Sequence, residues 1–255
     1  MAKKYYVVWQ GRQTGIFTDW ASCKDQVDRF PGAKYQSFES REEANTAFSG
    51  ASGPTQKTSN ASAARKASSS DVKTYTGDEI AAMPIDTKIF TDGGCDPNPG
   101  KAGSGIALYR NNVIDQLWYG LYDPNGTNNT AELNALNQAL VMGKDEIENG
   151  HTVAIYCDSK YSIQCITQWA VGWQKRGWKK ATGEIKNLDL IKEMFSRYQA
   201  LEDKIDIFHV NGHVGVEGNE LADRMSIMAI DTQVYEFVAY GEAFDIKRIL
   251  ALRTG

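Results

Sequence analysis

The sequence predicts an α/β protein in which a mixed sheet with flanking helices follows a small N-terminal domain. Two observations support this prediction. In the C-terminal part, antiparallel strand patterns come first and an alternation of strand and helix follows, which is typical of a mixed sheet. Residues 49–71 are rich in Ser, Ala and Gly and have no large apolar side chain, so they indicate a flexible linker behind an aromatic N-terminal region.

The N-terminal region, residues 1–48, has the pattern of a β-β-α-β-α unit. Aromatic and β-branched runs indicate its strands, and Pro31-Gly32 ends its first helix. A capping box that begins at Ser40 opens the second helix. The predicted strands are residues 5–10, 16–20 and 33–38, and the predicted helices are residues 22–30 and 40–48.

Five strands and their connecting helices are predicted in the C-terminal part. Asn111-Asn112 between two strand patterns indicates a hairpin. The strands are residues 86–92, 103–110, 112–120, 151–158 and 204–210, and the helices are residues 127–143 and 218–230 with further segments within 159–200. We therefore predict a mixed five-stranded sheet in a domain at 87–231, a linker at 49–86 and a C-terminal extension at 232–255 without an assigned role.

Composition limits the classes of function. The net charge of −4 argues mildly against a nucleic-acid-binding protein, but a cluster of metal-binding carboxylates would lower the net charge without affecting a binding face. The four cysteines have neither zinc-site nor disulfide spacing, which fits a reducing compartment. No segment is apolar enough to span a bilayer. We expect a cytoplasmic monomer without a zinc site or a membrane segment.

Four carboxylates occupy positions where chemistry is expected. Asp92 and Asp158 each end a predicted strand, and Asp92 opens a loop after its strand, at the sheet edge where ligands gather in open α/β sheets. Glu132 lies near the start of one predicted helix, and Asp223 lies within another. Each has a simpler interpretation: the aspartates as turn, capping or solvated residues, and Glu132 as a first-turn acid favoured by the helix dipole. Position alone leaves both interpretations open.

The local sequences around these acids favour the functional interpretation. TDGGCDPNPG, TNNTAELNAL, YCDSKYS and NGHVGVEGNELADRMS occur in this order, and over residues 88–230 the chain resembles type 1 ribonuclease H. The resemblance implies that Asp92, Glu132, Asp158 and Asp223 hold two Mg²⁺ ions, with Mn²⁺ as a substitute. It also implies that His213 assists proton transfer or product departure, although a plain surface histidine is the alternative.

The same resemblance implies a reaction and a substrate. The reaction is endonucleolytic hydrolysis of the RNA strand of an RNA/DNA hybrid by two metals, which leaves 5′-phosphate and 3′-hydroxyl ends. By resemblance, the RNA hydroxyls are contacted by Asn98, Asn128 and Asn129, and the DNA strand by Thr127, Tyr161, Trp169, Trp173, Lys175, Arg176, Lys179, Lys180 and Asn187. Asn125 departs from an arginine found in some relatives. Helix capping by the asparagines and an ordinary amphipathic helix at 166–183 are the alternatives.

Residues 3–48 resemble the hybrid-binding domain of cellular type 1 enzymes, a domain also found in viral inclusion proteins. Trp20, Lys34 and Tyr35 are its candidate contacts to hybrid. Gln36-Ser37 replaces a lysine pair of some relatives, and the charges nearly balance, so we expect weak hybrid binding by this domain alone. A protein-binding role for the domain stays open.

Two rival functions are a non-catalytic hybrid-binding protein and a DNA-strand transferase of the same fold. The complete set of four acids and a histidine argues against the first rival. The asparagines and the Trp/Lys segment argue against the second.

Overall fold

The structure is a computed structural model, and it describes residues 4–28, 30, 34–38, 41, 44, 73–180, 182–212, 214–241 and 245–255. The chain divides into two units, residues 1–67 and 68–255, each with its own sheet. Among the described residues, no helix has both the length and the apolar character that crossing a membrane requires.

The N-terminal unit contains an antiparallel three-stranded sheet in the order β2-β1-β3. Its elements are β1 (Tyr5–Gln10), β2 (Gly15–Phe17), α1 (Trp20–Val27) and β3 (Lys34–Phe38). The second strand is shorter than predicted, because Asp19 caps α1 by accepting a hydrogen bond from the Ser22 N–H at 2.9 Å. Val8, Cys23 and Val27 form the core between sheet and helix. The predicted helix at 40–48 lies largely outside the described residues.

The C-terminal unit is built on a mixed sheet in the order β10-β7-β6-β5-β8-β9-β4. Its strands are β4 (Thr74–Tyr75), β5 (Thr87–Asp96), β6 (Gly100–Arg110), β7 (Val113–Gly126), β8 (Val153–Cys157), β9 (Ile205–Val210) and β10 (Val238–Ala239). Strands β5 to β7 are antiparallel neighbours, whereas β8, β9 and β4 add in parallel. The five central strands confirm the predicted mixed sheet, and β4 and β10 are short edge additions.

Helices cover both faces of this sheet. They are α2 (Gly77–Ala82), α3 (Asn128–Glu148), α4 (Lys160–Gln164), a π-helical turn (Cys165–Trp169), α5 (Ala170–Lys175), α6 (Leu188–Leu201), α7 (Glu217–Thr232) and α8 (Ile246–Leu250). Side chains alternate along a strand, so Ile89 packs with α3 and α6 in one core cluster. Its neighbour Phe90 packs with α2, α7 and α8 in the other.

The turn between β6 and β7 is the predicted hairpin. Asn111 and Asn112 have φ values of 49° and 64°, the left-handed conformation that a tight two-residue hairpin requires. Asparagine adopts this conformation more readily than most residues. The dipeptide therefore sets the register of the longest strand pair in the sheet.

Two sequence predictions need correction. Asp92 does not open a loop, because β5 continues through Gly93 and Gly94 to Asp96, paired with β6 throughout. The predicted linker is also too long, because β4 and α2 lie within residues 49–86 and pack on the C-terminal unit. A capping box at Thr76 starts α2, and the buried Lys88 donates from Nζ to the Ile80 carbonyl at 2.6 Å.

We predict that Ile80→Ala destabilises the C-terminal unit by about 2–4 kcal/mol, because Ile80 of α2 is buried in the core. Urea unfolding monitored by circular dichroism measures this. Val113→Ala on the exposed hairpin is the control and should change stability by less than about 0.5 kcal/mol. An equally small effect of Ile80→Ala would mean that α2 is not part of the cooperative unit.

Candidate active site

Glycines bring two helices unusually close to the central strands. A Cβ at Gly93 of β5 would lie 2.2 Å from the backbone nitrogen of Glu132 in α3. A Cβ at Gly105 of β6, which pairs with Asp92, would lie 2.1 Å from the Ala222 carbonyl oxygen in α7. No side chain fits in either gap. Gly93, predicted to lie in a loop, and Gly105, within a predicted strand, thus act as contact points that bring Glu132 and Asp223 towards Asp92.

The four predicted acids meet in one place and are largely withdrawn from solvent. Asp92, Glu132 and Asp223 are only 6%, 5% and 2% exposed, and Asp158 is partly buried at the end of β8. The structure therefore excludes three simpler interpretations. Asp223 is not solvated, Glu132 is the fifth residue of α3 rather than a first-turn acid, and Ser159 rather than Asp158 caps α4.

The closeness of the acids affects their protonation. Burial raises the pKa of Asp92 well above its usual range, and the negative charges of Asp158 and Asp223 raise it further. Burial also raises the pKa of Glu132, with additional repulsion from Asp92 and Asp158. Such a site favours either protons or a bound cation as compensation for its charge.

Hydrogen bonds fix the individual carboxylates. The Gly93 N–H donates to Asp92 Oδ1 at 2.7 Å, and Asn219 Nδ2 donates to Asp158 Oδ2 at 3.4 Å. Glu132 Oε2 is buried and has no hydrogen-bond partner among the described residues. An oxygen in this position is available to a cation.

Several supporting residues were missed by sequence analysis. His209 is buried at the end of β9, where its Nε2 lies 3.1 Å from the Asp158 carbonyl oxygen and its Nδ1 lies 2.7 Å from Thr74 Oγ1. Cys157 Sγ lies within 4.8 Å of carboxylate oxygens of Glu132 and Asp158. His209 lies outside the quoted motifs, whereas Cys157 lies within YCDSKYS. Only the tertiary structure brings His209 to the Asp158 backbone and Cys157 to Glu132.

Asp223 differs from the other three acids in its partners. Its Oδ2 accepts a hydrogen bond from Arg224 Nη1, and its Oδ1 accepts one from the Gly255 backbone N–H at 3.0 Å. Both carboxylate oxygens therefore face positively polarised donors from the chain itself.

A cavity of about 480 Å³ gathers most of the predicted polar contact residues. It is lined by Asn98, Thr127, Asn129, Thr130, Tyr161, Lys186 and Asn187. Thr127 is the N-cap of α3, so Asn128 and Asn129 are not needed as caps. Asn98 Oδ1 instead accepts from the Asn128 backbone N–H at 3.2 Å, and Thr130 Oγ1 donates to Asn187 Oδ1 at 3.2 Å.

The Trp/Lys segment combines core packing with an exposed basic surface. Trp173 and Trp178 are partly buried against the core, as the amphipathic-helix interpretation requires. Trp169 is more exposed, and its ring lies between those of Tyr161 and Trp173 at centroid distances of 5.8 and 5.9 Å. The predicted basic residues Lys175, Arg176, Lys179 and Lys180 are all exposed.

In the N-terminal unit, two predicted contact residues form an exposed aromatic pair. Trp20 and Tyr35 are 45% and 46% exposed, with ring centroids 5.8 Å apart. The side chain of Lys34 lies outside the described part of the chain, as does the whole of His213.

Comparisons with known proteins agree with this architecture. The RNase H family model matches residues 84–231, and the model of the Ribonuclease H1 N-terminal domain matches residues 4–48. Ribonuclease H1 of Mus musculus is 31% identical over 256 residues, which cover 87% of each chain. Ribonuclease H of Pseudomonas putida is 38% identical over 150 residues, 58% of this chain and 96% of the bacterial protein.

A solved structure resembles the fold. The crystal structure of LC9-RNase H1, a type 1 RNase H with the type 2 active-site motif, matches with a TM-score of 0.51 and 24% identity over 72% of this chain and 84% of that chain. The sheet and its helices thus define a protein of the ribonuclease H-like fold class. The chain belongs to the ribonuclease H family of enzymes, with the N-terminal domain of Ribonuclease H1. Enzymes of this family depend on metal ions, and the acidic cluster is the candidate site.

We predict that Asp92→Asn stabilises the metal-free protein at neutral pH by about 1–2 kcal/mol. A carboxyl whose pKa is raised by folding costs stability as pH rises above its unfolded pKa, and asparagine removes that cost. The difference from wild type should shrink as pH falls towards 4, where the unfolded carboxyl also binds its proton. Thermal unfolding in EDTA measures this.

Asp203→Asn, which removes an exposed carboxylate, is the matched control and should leave stability unchanged at every pH. If Asp92→Asn were neutral or destabilising at pH 7, the four acids would not be repelling one another in the folded protein.

Proposed function

We propose that this chain cuts the RNA strand of RNA/DNA hybrids internally, in a catalytic domain at 87–231, and leaves 5′-phosphate and 3′-hydroxyl ends. The observation that supports this most directly is that Asp92, Glu132 and Asp223 are buried close to one another and to the partly buried Asp158. Membership of the ribonuclease H family gives the reaction class.

The residues present fit a hard divalent cation. Carboxylate oxygens are the ligands that Mg²⁺ prefers, and Glu132 Oε2 is a buried oxygen without a hydrogen-bond partner among the described residues. We assign the four acids to two Mg²⁺ ions, with Mn²⁺ as a substitute. Bound there, two such ions would activate the attacking water and stabilise the leaving 3′ oxygen.

The remaining residues would bind and orient the hybrid. Asn128 and Asn129 begin α3 a few residues before Glu132, and Asn98, between β5 and β6, accepts from the Asn128 N–H. Amides that both donate and accept suit RNA 2′-hydroxyls. Thr127, Tyr161 and Asn187 line the same cavity and would receive the DNA strand. We assign His213 to proton transfer or product departure.

The exposed basic surface at 175–180 would neutralise DNA phosphates, while Trp169 and Trp173 pack against deoxyriboses. Sugar packing and phosphate contacts do not depend on base sequence. Hybrid cleavage would therefore be governed by backbone type rather than by sequence.

The N-terminal domain would add a second contact to hybrid through Trp20, Lys34 and Tyr35. Exposed aromatic rings suit any nucleic-acid sequence, and tethering raises the local concentration of the catalytic domain on a bound hybrid. A monomeric state, the absence of zinc and a cytoplasmic location remain predictions of the sequence.

The cleavage assay uses a hybrid labelled on its RNA strand, incubated with Mg²⁺, Mn²⁺ or EDTA. We expect internal cuts in the RNA only, which EDTA abolishes and which Asp92→Asn slows by roughly a hundredfold or more through loss of a metal ligand. Asp203→Asn should cut at the wild-type rate. An intact hybrid with every metal, alongside detectable binding, would instead support a non-catalytic binding protein.

A second prediction concerns the tether. Deleting residues 1–71 should slow cleavage of a long hybrid by roughly three- to tenfold near physiological salt, because the second contact is lost. A hybrid too short to contact both domains at once is the control, and the deletion should change its cleavage rate little. Equal rates on the long hybrid at every salt concentration would rule out a role for the N-terminal domain in repeated cutting.

A further inference from the structure

Residues 251–255, here called the C-terminal segment, return to the acidic cluster after α8. Helix α8 is capped by Asp245, and its Ile249 is buried in the core beside α7. Arg224 Nε also donates to the Leu250 carbonyl at 3.4 Å. The C-terminal segment therefore starts from an anchored position beside α7, the helix that carries Asp223.

Arg253 ties the C-terminal segment to both sides of the site. Its Nη2 donates to Asp231 Oδ1 at 2.7 Å, and its Nη1 donates to Asp96 Oδ2 at 3.1 Å. Asp231 lies on α7 with Asp223, and Asp96 ends the strand that carries Asp92. The planar guanidinium suits two carboxylates at once.

This anchor places the Gly255 N–H against Asp223. The N–H donates to Oδ1 at 3.0 Å, and a Cβ at Gly255 would lie only 2.8 Å from that oxygen. A divalent cation at Oδ1 would meet this donor, because the N–H takes up one lone-pair site of that oxygen and the two positive charges repel each other. Arg224 already occupies the other oxygen of Asp223.

We propose that the C-terminal segment caps Asp223 in the metal-free enzyme and is displaced when a divalent cation binds. This inference rests on the proposed function, because it requires Asp223 to be a metal ligand. The cap supplies positive polarity to a crowded acidic site, and its release is part of the cost of loading the metal. By linkage, metal binding must loosen the segment by the same factor by which the segment weakens metal binding.

The test measures Mn²⁺ affinity of the full chain and its variants by electron paramagnetic resonance of the free ion. Deletion of 253–255, Arg253→Ala and Gly255→Pro should each tighten Mn²⁺ binding by roughly three- to tenfold. Gly255→Pro removes the N–H without changing the charge. Arg248→Ala removes an exposed arginine of the same region and should stay within about twofold of wild type.

The reciprocal measurement is the rate at which trypsin cleaves the full chain after Arg253, monitored by mass spectrometry. Mn²⁺ should accelerate cleavage after Arg253 in wild type, and it should do so much less in Asp92→Asn, whose site lacks one metal ligand. Equal acceleration in both proteins would show that Mn²⁺ acts elsewhere and would overturn the proposal.

A Gly255→Pro variant that bound Mn²⁺ with wild-type affinity would also overturn the proposal. If Arg253→Ala still bound Mn²⁺ more tightly, the cause would be the removal of a positive charge and not the loss of the N–H donor. Absence of Mn²⁺ binding in wild type and in the 253–255 deletion would overturn the metal site itself and this inference with it. Tighter binding in all three variants, with Arg248→Ala unchanged, is the result that the capped site requires.

Discussion

Mutual repulsion among four carboxylates is the constraint on which the catalytic unit depends. Asp92, Glu132 and Asp223 are all buried, so water screens their charges poorly and the fold must hold them together at a cost. The acids come from four different elements, so the site forms only when the sheet and both helix layers are in place. Gly93 and Gly105 let α3 and α7 approach the strands closely. This close packing brings the carboxylates of Glu132 and Asp223 near Asp92.

The supporting structure extends beyond the residues that the family model matches. Thr74 of β4 reaches the Asp158 backbone through His209, and α8 directs Gly255 to Asp223. One of these segments precedes residue 84, and the other follows residue 231. The first segment contacts the backbone carbonyl of Asp158 through His209, and the second donates an N–H to the Asp223 carboxylate. The acidic site is thus stabilised from both ends of the C-terminal unit.

Sequence patterns predicted what depends on local chemistry. The sequence alone was enough to predict the hairpin from its asparagine pair, α3 from its apolar period and the acidic residues from the motifs around them. The prediction of a loop after Asp92 was wrong because glycines such as Gly93 and Gly94 are typical both of loops and of close helix contacts. Only the packing of α3 on the strand distinguishes these two roles. Strands of two residues, such as β4 and β10, show no period at all, so the predicted linker extended too far. His209 and Gly255 acquire their roles from partners more than 30 residues away in sequence.

The net charge of −4 is compatible with a nucleic-acid substrate because the two kinds of charge are separated in space. The clustered acids are withdrawn from solvent, where protons, donors such as Arg224 or bound cations compensate for them. The basic side chains from Lys175 to Lys180 are exposed after a π-helical turn, an irregularity that is frequent at functional sites. A phosphate backbone near the domain would therefore meet the basic surface first. The acids would repel its phosphates until cations had neutralised their charge. The affinity for substrate is therefore expected to rise as the site binds metal ions.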